Sequence, residues 1–125
     1  MNKKKLLIVE DDELNQTIYK AILSKEYEIK ICGDDEDFYT ALDEREYDLF
    51  VMDLALNCGK SGIDLIRELR LMEKYKNTPV IVASAFAYSK DREIAIAAGT
   101  TKFISKPFDK KTLLSEIDRC FKNLL

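Results

Sequence analysis

Five short apolar runs divide the chain: Leu6–Val9, Tyr27–Ile31, Leu49–Met52, Val80–Ala83 and the brief Phe103–Ile104. The continuous runs suit strands buried on both faces of a parallel sheet. The second, Tyr27-Glu28-Ile29-Lys30-Ile31, alternates apolar with polar, as an edge strand with one wetter face would. Between and after the runs, apolar residues recur at helical spacing. Leu14, Ile18, Ala21 and Ile22 stripe the first such stretch, Phe38, Ala41 and Leu42 the second, and Leu65, Ile66, Leu69 and Met72 the third. Ser61 and Asp64 stand at S-x-x-D spacing ahead of the third, an N-terminal cap. A fourth stretch follows Ser89, carries Ala95, Ala97 and Ala98, and stops at Gly99. The last presents Leu113, Leu114, Ile117, Cys120, Phe121 and Leu124 on one face.

The order is therefore strand then helix, five times over. Such alternation calls for parallel pairing through right-handed crossovers. Five units are too few to close an eight-unit barrel, which leaves an open sheet with helices on both faces. The expected strand order is 2-1-3-4-5, with its switch point between strands 1 and 3 and its second strand at an edge.

Composition narrows the function more than the fold. A chain of 125 residues, 46% hydrophobic and 34% charged, is sized and balanced as one domain, 1–125, with no effector domain expected. Its net charge of −3 argues against direct nucleic-acid binding. No apolar run approaches the ~18 residues of a membrane span. The basic start, Lys3-Lys4-Lys5, is followed by only four apolar residues before Glu10, too few for an export signal. Cys32, Cys58 and Cys120 are odd in number and scattered, as free thiols in a reducing cytoplasm. The chain has no histidine, which removes Ser-His and Cys-His hydrolases, His-ligated zinc and a phosphohistidine-carrier role.

In an open α/β sheet, ligands bind outside the carboxyl ends of the strands. Strand 1 ends in Glu10, Asp11, Asp12 and Glu13, strand 3 in Asp53, strand 4 in Ser84 and Ala85, and strand 5 runs on to Lys106 and Pro107. If strands 1 and 3 are neighbours, Glu10, Asp11 and Asp53 converge. Carboxylates so placed repel one another unless protonated or bridged by a hard cation such as Mg²⁺. Asp12 and Glu13 are accounted for by a helix N-terminus alone, but Asp53 and Lys106 are not. A metal, a carboxylate, a hydroxyl and an ammonium together point to phosphoryl transfer onto the carboxylate. Binding of a flavin phosphate fits worse, because four acids follow strand 1 where a phosphate nest would stand. A haloacid-dehalogenase-type phosphatase also fits worse: the second acid it needs two residues past Asp53 is Ala55.

Ile8-Val9-Glu10-Asp11-Asp12, Met52-Asp53, Ser84-Ala85 and Lys106-Pro107-Phe108 occur in the order and near the spacings of one family. Over essentially its whole length the chain resembles the receiver domain of two-component response regulators. The resemblance implies a single flavodoxin-like (βα)₅ domain that is a signalling switch rather than an enzyme, catalysing only its own phosphorylation and dephosphorylation. It implies that Asp53 accepts a phosphoryl group from a partner's phosphohistidine. It implies that Glu10, Asp11 and Asp53, with the backbone carbonyl of Ala55, hold Mg²⁺ or Mn²⁺. Ser84, Ala85 and Lys106 would then stabilise the phosphoryl group, while Ser84 and the aromatic Phe103 carry the change to the face of helix 4, strand 5 and helix 5. Its partners would be a sensor histidine kinase or phosphotransfer protein and a downstream protein of unknown identity. The expected state is a cytoplasmic monomer or a weak phosphorylation-dependent dimer.

Some positions depart from the family pattern. Asn57 stands where proline is usual, and Gly62 comes nine residues after Asp53 rather than eight, so the loop through Cys58-Gly59-Lys60 is expected to be one residue longer. Cys58 is expected to be an exposed thiol without function. Ala55 and Phe86 occupy the positions that tune phosphoryl lifetime, and neither can orient a hydrolytic water, so slow self-dephosphorylation is expected. Thr100-Thr101-Lys102 replaces the acidic residues that serve one common dimer mode. Two readings compete with the switch: a phosphorylation-independent pseudo-receiver acting as a binding platform, and a small Mg²⁺-dependent phosphatase.

Overall fold

A computed structural model describes residues 3–54, 59–85 and 89–122. The elements alternate as β1 (Lys5–Val9), α1 (Glu13–Leu23), β2 (Glu28–Cys32), α2 (Asp35–Glu44), β3 (Leu49–Met52), α3 (Gly62–Leu71), β4 (Val80–Ser84), α4 (Ser89–Ala98), β5 (Lys102–Ser105) and α5 (Lys110–Phe121). The five strands form one parallel sheet in the order β2-β1-β3-β4-β5. The expected fold is therefore present.

Successive side chains of a strand point to opposite faces, and this splits the core in two. Leu7, Val9, Phe50, Met52, Val80 and Val82 face one way, against Phe38 and Ala41 of α2, Leu65, Ile66 and Leu69 of α3, and Ala95 and Ala98 of α4. Leu6, Ile8, Leu49, Val51, Ile81 and Ile104 face the other, against Tyr19 and Leu23 of α1 and Leu113, Ile117 and Cys120 of α5. β1, β3 and β4 are apolar throughout because both of their faces are covered. β2 keeps Glu28 and Lys30 exposed, as befits an edge. It begins and ends one residue later than the apolar pattern indicates, running to the buried Cys32.

The first helix differs from the expected stripe. Leu14 is 69% and Ile18 40% exposed, and Ala21 is exposed as well. Tyr19 and Leu23 turn inward instead, with Ile22 half-buried beside them. The inward face lies about one residue, some 100°, around the helix from the one that aliphatic counting selects. An aromatic partner explains this: the Tyr19 ring packs 5.7 Å from that of Phe108, and a large ring outweighs a leucine in buried area. In α4, Ala97 is likewise exposed while Ala95 and Ala98 pack inward.

Two loops are shaped by what surrounds them. Arg70, at the end of α3, donates to the carbonyls of Tyr75 (2.8 Å), Thr78 (2.6 Å) and Gly99 (2.9 and 2.7 Å). It thereby ties the α3–β4 connection to the end of α4, where Gly99 adopts a left-handed φ of 115°. Gly62 opens α3 under Ser61, whose side chain and that of Asp64 form the expected reciprocal cap.

Candidate functional site

The site is assembled by the ends of four strands. The β1–β2 ladder runs on through the Glu10 amide to the Cys32 carbonyl (2.9 Å), and Asp53 donates from its own amide to the Val9 carbonyl (3.1 Å). These bonds leave Glu10 and Asp53 at the carboxyl ends of adjacent strands. Asp11 follows at once, and Asp12 leaves the turn as the cap of α1, its side chain accepting from the Asn15 amide at 2.9 Å. Glu10, Asp11 and Asp53 each bring an oxygen within 4.8 Å of the others. Glu10 is 1% and Asp53 7% exposed; Asp11 is half-buried.

β5 supplies the cation. The β4–β5 ladder continues from the Lys106 amide to the Ser84 carbonyl (2.8 Å), just before a cis Lys106–Pro107 bond. The Lys106 ammonium pairs with Glu10 Oε1 at 2.8 Å and stands 3.6 Å from Asp53 Oδ2. The resemblance implies that Lys106 pairs with Asp53 or with the phosphoryl oxygens; in the structure Glu10 is the nearer carboxylate. Burial pushes the Glu10 carboxyl above its ordinary range, and the Asp53 charge adds to this, against the opposing pull of Lys106 and the Asp12 amide. The same two acids reinforce the burial that raises the Tyr19 phenol.

Three buried or half-buried carboxylates, two of them beside the Lys106 ammonium, form a donor set suited to a hard divalent cation. Such ions take oxygen ligands, and Mg²⁺ commonly takes one or two carboxylates and keeps waters.

The remaining expected positions are distributed as follows. Ser84 ends β4 and is fully buried; since Met52 lies beside Val82, it leaves the same end of the sheet as Asp53. Ala85 is exposed just beyond. Phe103 is half-buried against the α2–α3–α4 side of the core, with the Arg92 guanidinium 5.8 Å from its ring centre. Ala55, Cys58 and Phe86 lie outside the described residues.

Two further residues belong to the site without having stood out in the sequence. Gly62 approaches the end of β3 so closely that an added Cβ would strike the Asp53 carbonyl oxygen and stand 3.0 Å from Leu54 Cα. Its place in the sequence shows only a shifted spacing. Gln16 donates from Nε2 to the Glu10 carbonyl at 2.6 Å; a lone glutamine on an amphipathic helix carries no pattern that would have marked it. Beside the acidic cleft, Asn15, Ile18, Tyr19, Ala85, Lys106, Pro107 and Phe108 line a cavity of about 240 Å³, largely apolar.

A family described as the response regulator receiver domain matches residues 6–118. Chemotaxis protein CheY-3 of Vibrio cholerae is 32% identical over 128 residues, covering 99% of this chain and 97% of that protein. The two-component response regulator PhoP of Pseudomonas aeruginosa is 33% identical over 115 residues, 91% of this chain. The chain spans about half the length of PhoP and of other curated relatives that it matches. Among solved structures, the receiver domain of a sensor histidine kinase from Pseudomonas aeruginosa superposes with a TM-score of 0.84 at 30% identity, over 94% of this chain and 96% of that one. That structure has a magnesium ion coordinated in its active-site cleft.

Proposed function

The chain belongs to the response regulator receiver domain family, and on that premise we propose that it is a phosphoacceptor switch in which Asp53 takes a phosphoryl group from a phosphohistidine on a partner. The observation that carries this reading is the convergence of Glu10, Asp11 and Asp53 with Lys106 at one end of the sheet. An Asp53 carboxylate oxygen attacks phosphorus, the P–N bond to the donor imidazole breaks, and the leaving nitrogen keeps the electron pair and takes a proton. Lys106 is within reach of both Glu10 and Asp53, so it turns from Glu10 toward the new phosphoryl oxygens. Glu10, Asp11, Asp53 and the Ala55 carbonyl would hold Mg²⁺ or Mn²⁺, and a bound cation neutralises charge on the transferring group. The magnesium in the related receiver's cleft supports this assignment.

Phosphorylation adds about −1.5 to −2 charge and strong acceptor oxygens at the carboxyl end of β3. Ser84 and Lys106 are the donors placed to meet them, so the arrangement in which both turn inward gains population. Phe103, between the sheet and α4, carries that change to the α4–β5–α5 face. Ala85 leaves room for the incoming group, and Ala55 and Phe86 offer no hydrogen bond to a hydrolytic water, which favours a long-lived phosphoryl state. The apolar cavity between α1 and Pro107-Phe108 opens beside Lys106, and it suits the flank of a histidine kinase or phosphotransfer protein presenting its phosphohistidine.

The test is incubation with Mg²⁺ and acetyl phosphate, followed by intact mass, for wild type and Asp53→Asn. One alkali-labile phosphoryl adduct, abolished by Asp53→Asn and by chelator, is expected. A folded wild type that forms no adduct, and shows no spectral change with beryllofluoride, would refute the switch and leave a phosphorylation-independent platform.

A further inference from the structure

Two of the three carboxylates of the acidic cluster, those of Glu10 and Asp11, are set on the turn between the end of β1 and the start of α1, while Asp53 follows β3. The backbone of the turn directs those two. The Glu10 carbonyl belongs to the peptide plane that joins Glu10 to Asp11. Whatever fixes that plane fixes the direction in which the Asp11 side chain leaves the chain. The sheet holds the turn from one side, through the Glu10 amide on Cys32. The Glu10 carboxylate is held by Lys106 and by the Asp12 amide at 3.2 Å. The Glu10 carbonyl accepts from Gln16 Nε2 at 2.6 Å.

Gln16 is well placed for this. Helical side chains lean toward the N-terminus, so a residue in the first turn of α1 reaches back past the Asp12 cap. Its own amide bonds to the Asp12 carbonyl at 2.9 Å, which fixes its backbone to the same turn. Gly33, just after β2, lies beside the side-chain amide, where an added Cβ would stand 3.7 Å from Nε2. Only the NH₂ end of the amide can face a carbonyl at this distance, because two acceptor oxygens would repel. An asparagine would be a methylene too short, and a glutamate would set a carboxylate against the carbonyl.

We propose that Gln16 is a positioning residue for the divalent-cation site: by donating to the Glu10 carbonyl it sets the peptide plane from which Asp11 projects. This rests on the cation-binding reading above. Groups that orient metal ligands from the next layer out typically change affinity by ~10–100-fold when removed, and a tolerance of well under 1 Å governs such sites.

The experiment measures Mn²⁺ affinity by electron paramagnetic resonance on the unphosphorylated protein, alongside thermal melting. Gln16→Met keeps the length and loses the donor; its affinity is expected to fall ~10–100-fold while its melt remains cooperative. Gln16→Leu is a second donor-free variant, used should Gln16→Met fold poorly. Equal Mn²⁺ affinity in wild type and in a folded donor-free variant overturns the proposal. A folded wild type that binds no Mn²⁺, or an Asp11→Asn variant that binds as well as wild type, would instead refute the cation-binding reading and the proposal with it.

Discussion

Gly62→Ala separates a spatial requirement from a conformational one. Gly62 is buried at the first position of α3, with no left-handed φ, so any residue could adopt its backbone. Only space excludes a side chain there. A Cβ would strike the Asp53 carbonyl oxygen, approach Leu54 Cα to 3.0 Å and Asp53 C to 3.1 Å. All three are backbone atoms of the segment that carries Asp53, and none can swing aside as a side-chain tip does. Overpacking of this kind costs about 1–3 kcal/mol. Against it stands the helix preference for alanine over glycine, about 1 kcal/mol in a helix interior and less at a first position. The clash therefore wins, by about 1–2 kcal/mol, or roughly 4–8 °C in midpoint for a chain of this size.

Gly33→Ala is the matched control. Among the described residues its Cβ would meet only Gln16 Nε2, at an ordinary 3.7 Å, so it should be neutral or stabilising by up to about 1 kcal/mol through the unfolded chain. Urea unfolding followed by circular dichroism reads both. Because the atom displaced in Gly62→Ala belongs to Asp53, acetyl-phosphate labelling should also slow, by roughly tenfold or more, since misplacement of a reacting group by 1 Å can cost about 100-fold. A Gly62→Ala protein as stable as Gly33→Ala, labelled at the wild-type rate, would refute the steric argument outright.

Two other outcomes can be checked with the same denaturation assays. Arg70→Met removes the donor shared by the Tyr75, Thr78 and Gly99 carbonyls; stability should fall by about 2–4 kcal/mol, and Arg70→Lys should recover little, because an ammonium cannot reproduce the fork. A loss under about 0.5 kcal/mol, in the range of ordinary surface changes, would show that the carbonyls find water instead. Alkali should destabilise the fold: burial pushes the Cys32 thiol from 9.0 up to about 12 and the Tyr47 phenol from 10.0 up to about 12. Between those limits the unfolded chain has lost protons that the folded one keeps, so stability falls as pH rises, by on the order of 3–4 kcal/mol at pH 11 from these two groups. Cys32→Ala and Tyr47→Phe, each melted at pH 8 and pH 11, should lose less stability over that interval than wild type, and parallel losses would sink the assignment.

What was legible in the sequence divides along a physical line. Continuous apolar runs mark β1, β3 and β4 because both faces of those strands are covered, a demand so strong that composition alone meets it. Chemistry at the strand ends was legible for a similar reason, since a buried strand such as β3 has little cause to end in Asp53 unless something there uses a carboxylate. The orientation of α1 was not legible, because Leu14 and Ile18 offer as good a stripe as Tyr19 and Leu23, and the choice is made by Phe108, almost ninety residues away. The nearer partner of Lys106 was not legible either, because a four-carbon stem reaches Glu10 and Asp53 alike. Gly62 is the most instructive case. By counting from Asp53 it looks like a glycine displaced by a longer loop, yet it packs against the Asp53 backbone, where no Cβ fits. The constraint is a place beneath Asp53 that must be free of a side chain. A loop of either length meets it as long as it brings a glycine there.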